Sequence, residues 1–195
     1  MYLFFDTETG GLTTDYSLLT ASFIAVDENF DIIPVPEAPT GLYIKIKHDD
    51  YVLTHGALQV NKIDILQHDK ESIPLAAAQQ DLLTYIKDVL AETKRKALIP
   101  AGHNVEFDKR FVLQYLLDAE SWEKYFTYPV LDTAIIARFL ASAKLHDRAF
   151  SLGRLLKKFV PEFELGAGDL HNAEIDTLGT IMLAKKFVSL CRPPA

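Results

Sequence analysis

Cysteine is almost absent from this chain: Cys191 is the only one among 195 residues, which excludes an internal disulfide and a thiolate zinc site. Basic residues are outnumbered as well. Twenty Lys and Arg stand against 27 Asp and Glu, a formal net charge of −7, so bulk electrostatics cannot be what draws nucleic acid or an anionic membrane to the protein. A phosphate-bearing ligand must be held locally, and the balance disfavours a protein that coats DNA without selectivity. Apolar runs of membrane length are also missing. The opening MYLFFDTE meets charge after five residues, so no signal peptide or spanning helix is expected there, and the simplest reading is a soluble protein of the reducing cytoplasm. There is no repeat, low-complexity segment or interdomain linker.

What is present supports a single domain over residues 1–195, with a hydrophobic content of 49% that suffices for a sizeable core. Tyr2 to Phe5 and Leu18 to Val26 are apolar runs that predict strands, and the turn signal Asp27, Glu28, Asn29 followed by Phe30 to Val35 predicts a hairpin over 17–35, with Pro34 and Pro36 marking a sheet edge. Alternation over Leu42, Ile44 and Ile46 fits a strand or an extended excursion. The stretch from Tyr51 to Asp69 reads as a loop with a short helix near Thr54 to Val60. Ser72 as N-cap and Pro74 in the first turn predict a long helix through Ala78, Leu82, Ile86 and Val89. A strand over Ala97 to Ala101, a helix from Val105, a short strand over Tyr128 to Leu131 and a helix through Ile135 and Phe139 follow. Further helices are predicted at Ser151 to Phe159 and Ala173 to Leu190. A hairpin followed by alternating helices and strands gives an α/β fold with a mixed sheet.

The carboxylates carry the chemistry. Asp6 and Glu8 in FFDTETGG stand at i and i+2 of a strand, so both side chains share one face, about 6.6 Å apart along the backbone. Asp108 in AGHNVEFDKRF and Asp176 in DLHNAEIDTLG come from distant segments, the latter five residues after His171. Four carboxylates gathered without basic partners repel one another, and hard oxygen donors of this kind suit Mg2+ or Mn2+; ions about 3.5 to 4 Å apart can clamp the attacking and leaving oxygens of a phosphoryl displacement. The turn Thr9, Gly10, Gly11, Leu12 offers backbone N–H groups beside them. His48, His55, His68 and His146 read as surface or capping histidines, and Asp132 as a helix cap or a support behind the ligands.

FDTETGGL, GHNVEFDKRF and HNAEID, in that order and spacing and with YPVLDTAIIAR between the last two, resemble the DEDDh (DnaQ-like) family of 3′ to 5′ exonucleases, typified by the proofreading epsilon subunit of bacterial DNA polymerase and by ribonuclease T. The likeness spans about Met1 to Leu190. It implies a ribonuclease H-like fold with a mixed five-stranded central sheet, opened by an antiparallel hairpin and flanked by helices. It also implies two Mg2+ or Mn2+ ions held by Asp6, Glu8, Asp108 and Asp176, with Glu8 and His171 in the catalytic role and His171 as general base; imidazole changes charge near neutral pH and can take a proton from the attacking water. By the same resemblance Thr9 would contact the terminal 3′-OH, Leu12 would pack against bases, Phe107 would stack at the pocket edge, and Gly11 and Asn104 would lie beside the substrate, the 3′ end of single-stranded DNA or RNA. Asn61 departs from the pattern, standing where the epsilon subunit has histidine in a V-H-G-I segment. The chain stops at CRPPA, so a free-standing nuclease without the polymerase-binding tail of the epsilon subunit is expected.

Overall fold

The computed structural model describes residues 1–144, 150–163 and 171–191. Expectations that concern His146 and the terminal RPPA fall outside them. Strand β1 (Tyr2–Thr9) runs on past the predicted Phe5 to include both Asp6 and Glu8, and pairs antiparallel with β2 (Leu18–Val26), Glu8 opposite Thr20 and Asp6 opposite Ser22. β3 (Leu42–Lys47) pairs antiparallel with β2, and the two-residue β4 (Ile73–Pro74) lies parallel to β3. On the other side of β1, β5 (Ile99–Gly102) is parallel to it and β6 (Leu131–Asp132) is parallel to β5. The sheet therefore has six strands in the order β4-β3-β2-β1-β5-β6, one more than expected.

The helices are α1 (His55–Asn61), α2 (Ile65–Glu71), α3 (Leu75–Thr93), α4 (Val105–Phe111) continuing into a π-helical turn over Val112–Leu116, α5 (Ala119–Tyr125), α6 (Thr133–Ser142), α7 (Leu152–Phe159) and α8 (Ala173–Cys191). Strand alternation sorts β1 between two layers. Leu3 and Phe5 meet Leu82, Tyr85, Ile86 and Val89 of α3, whereas Phe4 meets Ile24, Ile181 and Ala184 on the α8 face. Asp6 and Glu8 share the parity of Phe4, so they too are carried on the α8 face. A smaller apolar cluster ties α6, α7 and α8 together through Ala137, Leu140, Leu156, Leu183 and Phe187.

Several sequence expectations are corrected. Phe30 to Val35 forms no strand: Phe30 takes a φ of 65°, only isolated bridges occur at Ile32 and Val35, and Pro34 removes a ladder donor, so β1 and β2 make the opening hairpin instead. Ser72 ends α2 rather than starting α3; its hydroxyl donates to the His68 carbonyl, and Pro74 occupies the N-cap position of α3. The predicted strand over Tyr128 to Leu131 is reduced to Leu131–Asp132. Helix α2 falls largely within the stretch read as a loop, and α5 was not anticipated. Nor is His68 a surface group, since it is buried with Nε2 on the Ile46 carbonyl.

Beyond Phe23 opposite Leu42, β3 no longer accompanies β2. The Ala25 N–H is taken up there by the hydroxyl of Tyr85, at 3.0 Å, and burial pushes that phenol up to about 12. Tyr85→Phe leaves this N–H without an acceptor and is expected to cost about 1 to 3 kcal/mol in a denaturant unfolding titration; an unchanged midpoint would show that the bond is dispensable.

Candidate active site

Three of the four acidic residues converge where β1 ends. Asp6 and Glu8 project from β1, and Asp176 comes down on them from the first turn of α8, each residue placing a carboxylate oxygen within 4.8 Å of the others'. The start of α8 fixes Asp176. Asn172 accepts from the N–H groups of Glu174 and Ile175 through Oδ1, and His171, in the left-handed region at φ 71°, donates its own N–H to Asp176 Oδ2 at 3.1 Å. The second oxygen of Asp176, Oδ1, is buried and receives no hydrogen bond from any described residue.

Asp108 enters from α4, on the opposite side of β1, and stands outside that group of three. Its Oδ1 accepts from the Thr7 N–H at 3.0 Å and from the Thr7 hydroxyl at 2.6 Å. Asp132 steers α4 into place: its carboxylate accepts the N–H groups of Asn104 and Val105, and also those of Ala134 and Ile135, so one side chain caps α6 and holds the β5-α4 turn in which Asn104 has φ 68°. His103 bridges the Thr133 hydroxyl and the Phe150 carbonyl, and burial holds its pKa below the ordinary imidazole value, which suits a neutral structural link.

Electrostatics confirm that these carboxylates are crowded. Burial, then the charges of Asp108, Asp176 and Glu8, raises Asp6 well above the ordinary carboxylate range; burial, then Asp176 and Asp108, lifts Glu8 to about 8. Asp108 is pushed up by burial to about 7 against the lowering effect of the two Thr7 bonds, and Asp176 by burial to about 6 against the His171 N–H. No described lysine or arginine forms an ion pair with any of the four. Convergent hard oxygens, an unpartnered buried Oδ1 and unrelieved repulsion together fit divalent cations such as Mg2+ or Mn2+.

The cleft over these groups has a volume of about 430 Å3, and Asp6, Glu8, Asp108, Asp176, His171, Thr9, Gly11, Leu12, Asn104 and Phe107, all singled out in the sequence, line it. Its far side is apolar: Leu12 is 79% exposed, Val60 of α1 51% exposed, and Phe107 completes the rim. Two more residues shape it: Thr7, which the sequence did not reveal, and Asn61, noted there only as a departure from the family pattern. Thr7 aligns Asp108, and Asn61 donates to the Thr9 carbonyl at 3.3 Å while accepting from the Ile63 N–H, so it holds the Thr9 turn from α1. The glycine turn is less open than expected. Gly10 gives its N–H to the Ser17 carbonyl, and a Cβ at Gly10 would lie 2.4 Å from the Val52 carbonyl oxygen, at Gly11 2.4 Å from the Tyr16 ring; close packing is what demands glycine at both positions.

The raised carboxyl groups tie stability to pH with a definite sign. Between the ordinary carboxylate pKa near 4 and the folded values of about 6 to 8, the folded state keeps protons that the unfolded state has released, so metal-free stability is fully present below that window and falls as pH rises through it. In chelator, melting temperature is expected to drop between pH 5.5 and 9, Mg2+ or Mn2+ to restore it most at the alkaline end, and Glu8→Gln to flatten the slope. A melting temperature that rises with pH in chelator would contradict the picture.

No protein-family model matches the chain, and no curated protein sequence does. Solved structures do match. The zinc-bound form of an E. coli exonuclease I complex with single-stranded DNA superposes with a TM-score of 0.76 at 20% identity, over 96% of this chain and 40% of that one. E. coli exonuclease I with a dT13 oligonucleotide gives 0.73 at 21% identity, over 94% and 40%, and a further exonuclease I structure gives 0.75 at 20%, over 96% and 40%. The chain thus spans about 40% of the length of these exonuclease I chains. At this identity the likeness is one of fold, and it agrees with the sequence expectation: this protein has the mixed-sheet, ribonuclease H-like α/β fold of exonuclease I.

Proposed function

We propose that the protein is a divalent-metal-dependent 3′ to 5′ exonuclease that releases 5′-mononucleotides from single-stranded DNA or RNA, in one domain. The observation that carries this is the meeting of Asp6, Glu8 and Asp176 within 4.8 Å in a cleft that Asp108 and His171 also line. Structures of exonuclease I bound to single-stranded oligonucleotides share the fold and support the substrate class. Two Mg2+ or Mn2+ ions, held by Asp6, Glu8, Asp108 and Asp176, would supply Lewis acidity toward the scissile phosphate and the attacking water.

The chain's own groups do the rest. His171, anchored through its backbone to Asp176 and exposed to the cleft, takes a proton from the attacking water as general base. Leu12, Val60 and Phe107 offer apolar and aromatic surface on which terminal bases stack without regard to sequence. Thr9 would contact the 3′-OH: its hydroxyl donates to the Gly11 carbonyl at 2.7 Å, which leaves its oxygen able to accept a hydrogen bond.

Incubation with 5′-labelled single-stranded DNA and RNA is expected to give a ladder shortening from the 3′ end with Mg2+ or Mn2+ and none with chelator. Asp6→Asn and Asp176→Asn should each lower turnover by about 100-fold or more while the protein stays folded in chelator, because each substitution removes repulsion. Internal cuts, or an Asp6→Asn variant that keeps substantial activity, would overturn the reading.

A further inference from the structure

Thr7 lies between Asp6 and Glu8 in sequence yet faces the other side of β1, since side chains alternate along a strand. Parallel pairing between β5 and β1 reaches only Phe4 opposite Ala101. The N–H of Thr7 thus lies beyond that ladder and finds its acceptor in Asp108, 101 residues on, at 3.0 Å; the Thr7 hydroxyl donates to the same oxygen at 2.6 Å. Thr7 and Asp108 are both buried. Two donors use both lone pairs of Oδ1, which fixes the plane of the carboxylate.

We propose that Thr7 is a positioning residue: by pinning Oδ1 it turns Oδ2 of Asp108 toward the cation cluster as that residue's single ligand atom. The inference rests on the reading of Asp108 as a cation ligand. A carboxylate free to rotate would spread its charge over several orientations, whereas a pinned one meets a cation without further ordering. Groups that orient metal ligands from behind typically matter by about 10- to 100-fold in metal affinity. The device is economical in residue types, since only serine or threonine at position 7 can add a hydroxyl donor while leaving the strand N–H in place.

The test is Mn2+ binding followed by calorimetry, with no nuclease assay. Thr7→Val keeps the β-branched shape and the N–H and removes only the hydroxyl; it is expected to weaken Mn2+ binding by about tenfold or more, while Thr7→Ser stays close to the wild type. In the Asp108→Asn background Thr7→Val should change Mn2+ affinity little, because a residue that acts through Asp108 has nothing left to act on. Circular dichroism in chelator checks that the wild type and all four variants are folded. Wild-type affinity in Thr7→Val, or a full loss that persists in the Asp108→Asn background, overturns the inference and leaves the proposed function standing. A wild type that binds no Mn2+ overturns both.

Discussion

Repulsion among four crowded carboxylates is the constraint around which the rest of the structure is arranged. Asp6, Glu8, Asp108 and Asp176 are drawn from β1, α4 and α8, so no local segment can relieve their mutual unfavourable charge, and no described basic side chain does. The site can be occupied in two ways. Protons are retained, as the raised values of Glu8 and Asp108 indicate, or, in the proposed function, divalent cations replace them. A fold that keeps such a cluster must hold it together with contacts made elsewhere, here the apolar layers of α3 and α8 on either face of β1.

The placement follows from elementary sheet geometry. Because side chains alternate, Phe4 is packed under α8 while Asp6 and Glu8, on the same face, emerge past the apolar rows beside Asp176. Because β5 leaves β1 after Phe4, a gap opens at the carboxyl end of β1, and α4 enters there with Asp108. Ligand sites at the carboxyl ends of strands where the topology switches direction are general in α/β sheets. Asp132 makes the entry reproducible, since one carboxylate receives N–H groups from two helix starts. Even the unusual backbone angles serve the site, as Asn104 and His171 each turn the chain immediately before a helix that delivers a carboxylate.

Most of the candidate site was legible in the sequence, and for a physical reason. A D-x-E triplet fixes a common strand face by parity alone, and the motifs around Asp108 and Asp176 carried their own helix starts. All ten residues chosen from the sequence line one cleft. What was not legible depends on register and tertiary contact. Thr7 looks like a spacer until the partner of its hydroxyl, 101 residues away, is known. Thr20 and Ser22 sit in what reads as a continuous apolar strand, although they lie opposite Glu8 and Asp6 and extend the polar face. Helix α1 was expected near Thr54 to Val60, but that it walls the cleft, with Asn61 holding the Thr9 turn, depends on a tertiary hydrogen bond. The misread strand at Phe30 to Val35 shows the converse: an apolar run has strand propensity, but Pro34 and a left-handed Phe30 prevent it from joining the ladder.

The central claim is that this cluster is a cation site whose charge is otherwise carried by protons, and calorimetry of Mn2+ binding near pH 7 in buffers of different ionisation enthalpy tests it directly. The account predicts binding accompanied by release of about one proton or more per protein, with both the affinity and the proton release reduced in Glu8→Gln. Absence of binding, or binding with no proton release that is indifferent to Glu8, would contradict it.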